Sequence, residues 1–344
     1  MEFTEIMSEL KKKAFKPVYF LMGEEPYFID RISNYIEENA LDEAGKEFNQ
    51  TILYGQDVDV LSVVSEAKRF PMMAERTVII IKEAQHIKNL AKDEDSEKSK
   101  AKPPLLSYIE NPNPTAVLVF CYKYKTLDKR TSLAKSIAKH AVLFESKKIY
   151  ENRIPDWIGV YLKAKKYTIS PKAAVMITSF LGDDLGKIAN ELEKLMINLP
   201  AGSEVSADDI QKYIGISKDY NVFELQNALG KKDVLQANRI ANYFGSNKKE
   251  HPLIMTVPTL FSYFNKVLSI HFMKDRSKEG VAKELKVHPF FAGDYLSAAK
   301  NYSAGKVVNV IADLRETDNK LKGIGNATME EGELLKELVY KILH

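Results

Sequence analysis

The stretch VYFLMGEEPYFIDRI, residues 18–32, carries three signals in order: an uninterrupted apolar run from Val18 to Leu21, a glycine at Gly23, and a helical pattern opened by Pro26. Proline suits the start of a helix because the first amides there have no partner within the helix. Strand, glycine turn and helix in this order is the layout of a P-loop, GxxxxGK[ST]. In a working P-loop the second glycine lets the backbone wrap phosphate, the lysine neutralises charge and the hydroxyl holds magnesium. Counted from Gly23, those three positions hold Phe28, Ile29 and Asp30. Glu24 and Glu25 add negative charge where an anionic phosphate would lie. The layout is present and the chemistry is not. Spacing alone leaves open whether the segment descends from a P-loop or is an ordinary strand-turn-helix; on either reading, no ATP hydrolysis by this chain is expected.

Working outward, residues 1 to about 145 alternate strand and helix patterns. VYFLM, FNQTILYG, RTVIIIKEA, TAVLVFCY and AVLFE read as strands, and PYFIDRISNYIEENAL, DVLSVVSEAKRF, PPLLSYIENP and LDKRTSLAKSIAK as helices. Val78 to Ile81 is continuous and β-branched, as a strand buried on both faces requires. This alternation predicts a parallel sheet covered by helices on both sides. In a nucleotide site the acidic residue that positions magnesium ends such a buried strand; here the residue after Ile81 is the cation Lys82. The run 88–102, KNLAKDEDSEKSKAK, is too polar to pack and reads as a solvated loop.

After about residue 146 the strand signals stop. A small helical domain is expected over 146–215, with Ser170, Pro171 and Gly182 punctuating one helix and Ser206 with Asp209 opening another as a capping box. Longer helices follow over 216–344, with apolar stripes through Leu253, Val257, Leu260, Phe264 and Val267 and through Leu334, Leu335, Leu338, Val339 and Ile342. Pro258 is expected to start or kink the first of these. The expected fold class is α/β plus all-α.

Fifty Lys and Arg against 47 Asp and Glu leave a net charge of +3, which neither demands nor excludes a nucleic-acid partner. The single cysteine, Cys121, excludes an internal disulfide, so a cytoplasmic setting is the natural expectation. Cys121 falls in a predicted buried strand and reads as an inert core thiol. No apolar run of about 20 residues, the length that spans a membrane, is expected, nor any membrane partner. The six histidines are scattered, with no pair at metal-ligand spacing, so no catalytic residue, cofactor or metal is expected.

Two stretches could bind. In KRFPMMAERTVII, 68–80, Phe70, Pro71, Met72 and Met73 put an apolar cluster where a connection is usually polar. Flexible methionines suit adaptable binding surfaces, yet the same residues could cap the local core, and taken alone they favour the cap. GVAKELKVHPFFAGDYLSAAKNY, 280–302, has the outline of a helix-turn-helix. Its second helix carries Phe290, Phe291, Tyr295 and Leu296, and base-reading side chains are missing from its start, so packing in a bundle is the stronger reading.

The chain resembles the delta subunit of the bacterial DNA polymerase III clamp loader over nearly its whole length. The likeness is carried by PVYFLMGEEPYFID, FPMMAERTVIIIKEAQ and YKTLDKRTSLAKSI in the first domain and GDDLGKIANELEKL in the second. KDYNVFELQNALGKKD, HPFFAGDYLSAAKNYS and LKGIGN carry it in the third. The resemblance implies an AAA+-like, clamp-binding first domain over 1–145 with a degenerate P-loop, a lid-type domain over 146–215 and a collar domain over 216–344. It implies a non-catalytic subunit that assembles in a pentamer with ATP-hydrolysing gamma/tau subunits and delta prime. Such a subunit binds the ring-shaped sliding clamp (beta) and opens it for loading on primed DNA, as part of a nucleotidyltransferase holoenzyme. The family's clamp-contacting apolar pair precedes Ala-x-Arg. Here Met72 and Met73 precede Ala74, Glu75 and Arg76, so that role falls on Met72 and Met73, with Phe70 beside them; relatives can carry a bulkier Leu-Phe pair. This reverses the preference for a core cap. The competing readings are an AAA+-type ATPase with an unconventional site and a helix-turn-helix DNA-binding protein.

Overall fold

The computed structural model describes residues 1–88, 90, 102–217, 219–324 and 329–344. The solvated loop expected over 88–102 therefore falls almost wholly outside the described residues. The chain forms two compact units, Met1–Ile149 and Tyr150–His344.

The first unit runs α1 (Phe3–Lys11), β1 (Val18–Gly23), α2 (Pro26–Asn39), α3 (Glu43–Asn49), β2 (Gln50–Tyr54), α4 (Val60–Ala67), β3 (Thr77–Lys82), α5 (Pro104–Glu110), β4 (Ala116–Lys123), α6 (Ser132–His140) and β5 (Val142–Ser146). The five strands make one parallel sheet in the order β2-β3-β4-β1-β5. Its continuous apolar strands follow from burial on both faces. Phe20, Met22, Ile79, Ile81 and Phe120 point to one side, where α4, α5 and α6 supply Val63, Ile109 and Ile137. Tyr19, Leu21, Val78 and Ile80 point to the other, where α1 and α2 supply Leu10, Ile29, Ile32 and Ile36. Each such side chain contributes about 1.5–3 kcal/mol by leaving water.

The chain leaves β1 over one face and β4 over the other, and these strands are neighbours. The crevice at their carboxyl ends is the switch point of the sheet, where ligands of such folds bind. Gly23 lies there opposite Lys123.

α3 is a departure from the sequence reading, which places Phe48 and Asn49 in a strand. Asp42 begins the helix by accepting a hydrogen bond from the Gly45 amide at 2.8 Å. α4 ends at Ala67, so Phe70 lies beyond it.

The second unit runs α7 (Ile154–Ala164), β6 (Thr168–Ile169), α8 (Pro171–Leu181), α9 (Leu185–Ile197), β7 (Glu204–Val205), α10 (Ala207–Ile214), α11 (Val222–Lys231), α12 (Val234–Ser246), α13 (Leu253–Ile270), α14 (Lys278–Glu284), α15 (Ala292–Asn301), α16 (Ala304–Leu321) and α17 (Glu331–Leu343). The Ser170 cap, the Gly182 stop and the Ser206–Asp209 capping box all form. β6 and β7 pair in parallel, which corrects the expectation that strands end near residue 146. Two residues are too few to show an alternating pattern. α13 begins at Leu253 and continues through Pro258 instead of starting there.

By length and composition alone, α13 is also long and apolar enough to cross a membrane, contrary to the sequence reading. Leu253, Val257, Leu260, Phe264 and Val267 on one face pack into the helical core with Phe244, Val310, Leu314 and Leu338. Gly245 of α12 and Gly332 of α17 let those helices touch at the backbone: a Cβ built on Gly245 would lie 3.2 Å from the Gly332 Cα. Phe291 and Ala292 are buried, but Phe290 is exposed and both phenylalanines precede α15, in a 3-10 turn.

Candidate functional site: a closed phosphate cradle and a projecting apolar tip

The turn after β1 lies where a P-loop would hold phosphate, and its amides are already used. Gly23 N–H donates to the Lys125 carbonyl at 3.0 Å and Glu24 N–H to the Ser146 carbonyl at 3.2 Å. Glu25 N–H donates to the Ser146 hydroxyl at 3.2 Å. The partial positive charge at the amino end of α2 meets a carboxylate from the chain itself: Glu25, only 7% exposed, accepts from Tyr27 N–H at 3.2 Å. Gly23 has φ +130°, a conformation open to glycine. A Cβ there would lie 2.1 Å from the Ser146 carbonyl oxygen.

The flanking charges are matched as well. Lys123, ending β4, grips both carboxylate oxygens of Asp30 at 2.6 and 2.9 Å. Lys82, ending β3, lies 3.2 Å from the Glu37 carboxylate. Thus Asp30, at the position of the P-loop hydroxyl, neutralises a lysine. Ile29, at the position of the P-loop lysine, is fully buried under the sheet, and Phe28 packs on the Phe3 ring at 5.0 Å. Glu24 is exposed. The sequence reading missed Lys123, Lys125 and Ser146. They lie about a hundred residues from the turn, and no local pattern marks them as its acceptors.

The second feature is the connection from α4 to β3. Its stem is fastened at both ends. The Ala67 carbonyl accepts from the Tyr108 hydroxyl at 3.2 Å, and the Arg69 carbonyl accepts from the Asn113 carboxamide at 3.2 Å. At the far end the Arg76 guanidinium lies over the Phe15 ring, 5.0 Å from its centre, and Thr77 N–H donates to the Thr115 carbonyl at 2.8 Å. Between these anchors Phe70 is 80% exposed, Met72 58% and Met73 fully so. Met73 holds φ +55°, uncommon for a residue with a side chain. The Met72 amide donates to Asn49 Oδ1 at 2.6 Å, and Asn49 Nδ2 donates to the Met72 carbonyl at 2.9 Å. Phe48, exposed beside Asn49, widens the apolar surface, and sequence reasoning did not single it out.

A switch-point turn with its amides consumed, on a five-stranded parallel sheet covered by helices and followed by a helical unit, defines an α/β protein with the P-loop layout and its turn amides satisfied internally. Two family models match: "DNA polymerase III, delta subunit" over residues 19–147 and "DNA polymerase III delta subunit, C-terminal domain" over 219–340. The chain belongs to the DNA polymerase III delta subunit family. A relative from Bacillus subtilis (strain 168), DNA polymerase III subunit delta, is 26% identical over 320 residues, spanning 92% of this chain and 91% of that protein. The solved structure of a Bacillus subtilis DNA clamp loader delta protein matches with a TM-score of 0.62 at 25% identity, covering 99% of both chains. Membership assigns the chain to the replication machinery, among the components of the polymerase III clamp loader.

Proposed function

We propose that this chain is the clamp-binding subunit of its loader: it docks on the sliding clamp through Phe70, Met72 and Met73 and helps open the ring for loading on primed DNA. The observation that carries the reading is the exposure of three apolar side chains on a segment anchored at both ends. An apolar tip left in water is costly unless a partner covers it, and methionine suits an adaptable contact. Burying two such side chains is worth about 1.5–3 kcal/mol each.

The reading extends to the whole molecule. The chain is not itself an ATPase, because the turn that would hold phosphate spends its amides on Lys125 and Ser146. Nucleotide energy enters through neighbouring gamma/tau subunits, in a pentamer with delta prime, and DNA is reached through the assembly in the cytoplasm. On this reading the part of the chain from residue 146 to about 215 is a lid-type domain and the part from 216 onward a collar. Opening the ring needs no bond chemistry; it needs tighter binding to the opened interface than to the closed one.

The test is the double substitution Met72→Ala/Met73→Ala, measured against the cognate clamp immobilised on a surface, with circular dichroism as control. Affinity is expected to fall about 100-fold or more with the fold intact. Unchanged affinity rejects the assignment.

A further inference from the structure

We propose that Asn49 is a positioning residue that holds the Met72–Met73 tip in its binding shape before a clamp arrives. The inference rests on reading that tip as the clamp contact.

A short exposed connection samples many conformations, and ordering it on binding subtracts from affinity. Here one buried side chain removes much of that freedom. Asn49 is 4% exposed at the end of α3. Its Oδ1 accepts from the Met72 amide at 2.6 Å while its Nδ2 donates to the Met72 carbonyl at 2.9 Å and to the Gly45 carbonyl at 3.0 Å. Both polar groups of one residue's backbone are thus fixed by a single carboxamide, much as a neighbouring strand would fix them. Among side chains of this length only asparagine offers a donor and an acceptor side by side; aspartate keeps the acceptor and loses the donor.

The next residue bears the consequence. Met73 sits in the left-handed region at φ +55°. For a residue with a side chain, that conformation persists only where the surroundings impose it. With Met72 held, the Met73 side chain projects fully into water. Asn49 itself is too buried to touch a partner, so its effect on binding is indirect.

The test uses the full chain and its cognate clamp. Asn49→Ala and Asn49→Asp are compared with wild type in clamp affinity and in amide hydrogen exchange of the free protein. Asn49→Ala is expected to weaken clamp binding about tenfold. It is also expected to speed exchange at the Met72 amide while leaving the β3 amides of Ile79–Ile81 unchanged. Asn49→Asp, which keeps the acceptor but sets a carboxylate against the Met72 and Gly45 carbonyl oxygens, is expected to bind no better than Asn49→Ala, and wild-type binding by it would overturn the need for the donor. The proposal is overturned if Asn49→Ala binds within about twofold of wild type, or if exchange quickens equally through β3, the mark of general support for the sheet. If Asn49→Ala binds normally while Met72→Ala/Met73→Ala does not, positioning fails and the clamp contact stands. If the double substitution also binds normally, both fail.

Discussion

Gly23 stands where a P-loop glycine would stand and serves the packing of the sheet. In a working P-loop a glycine lets the backbone approach phosphate; here it lets the backbone approach Ser146, whose carbonyl oxygen would stand 2.1 Å from an added Cβ. The glycine is therefore required by the packing of β1 against β5. Gly23→Ala is expected to destabilise the first unit by about 2–4 kcal/mol, measured by denaturant unfolding, although no ligand is involved. A change below about 0.5 kcal/mol would contradict the close approach. Cys121 lies fully inside the sheet, as its strand pattern predicts, and burial pushes its thiol up to about 11 from the usual 9. The neutral thiol is thus favoured in the folded state. Its contribution to stability is complete below about pH 9 and is lost as the pH rises through about 11. Native protein at pH 8 is expected to resist a thiol-reactive dye until denaturant is added; prompt native labelling would refute this.

At the scale of the element, strand, turn and helix from Val18 to Asn39 are legible in the sequence, because uninterrupted apolar runs and a proline-started helix are local signals. So are the caps at Ser170 and Ser206, whose partners lie three residues on. What closes the cradle is not legible: Ser146 reaches the turn through strand pairing across more than a hundred residues. The α3 helix was missed because its seven residues run directly into β2, so the strand pattern of QTILY absorbs the end of the helix. The exposure of the tip is likewise unreadable from composition, since Met72 and Met73 would suit a core equally well. Installing the P-loop residues, with Phe28→Gly, Ile29→Lys and Asp30→Ser, is expected to lower stability and create no nucleotide site. Ile29→Lys would put an ammonium into the apolar layer beside Ile32 and Leu21, at a cost of about 3 kcal/mol or more. The turn amides would remain on their internal acceptors. Thermal unfolding together with a magnesium–ATP titration checks both halves, and saturable nucleotide binding would contradict the account.

At the scale of the whole molecule, family membership assigns the chain to the clamp loader, and its two units divide the labour in the proposed function. The first presents the anchored tip on a sheet whose turn amides are held by Lys125 and Ser146; the second is helical, with one core cluster running from Leu225 to Leu343. On the proposed reading the first unit does not respond to nucleotide, and regulation by ATP comes from other subunits. The most direct measurement is the affinity of the isolated full chain for its cognate clamp, with and without magnesium–ATP, for wild type and for Met72→Ala/Met73→Ala. The account predicts wild-type binding that nucleotide does not change and that the double substitution weakens about 100-fold or more. Binding that requires ATP, or that survives the loss of both methionines unweakened, would contradict it.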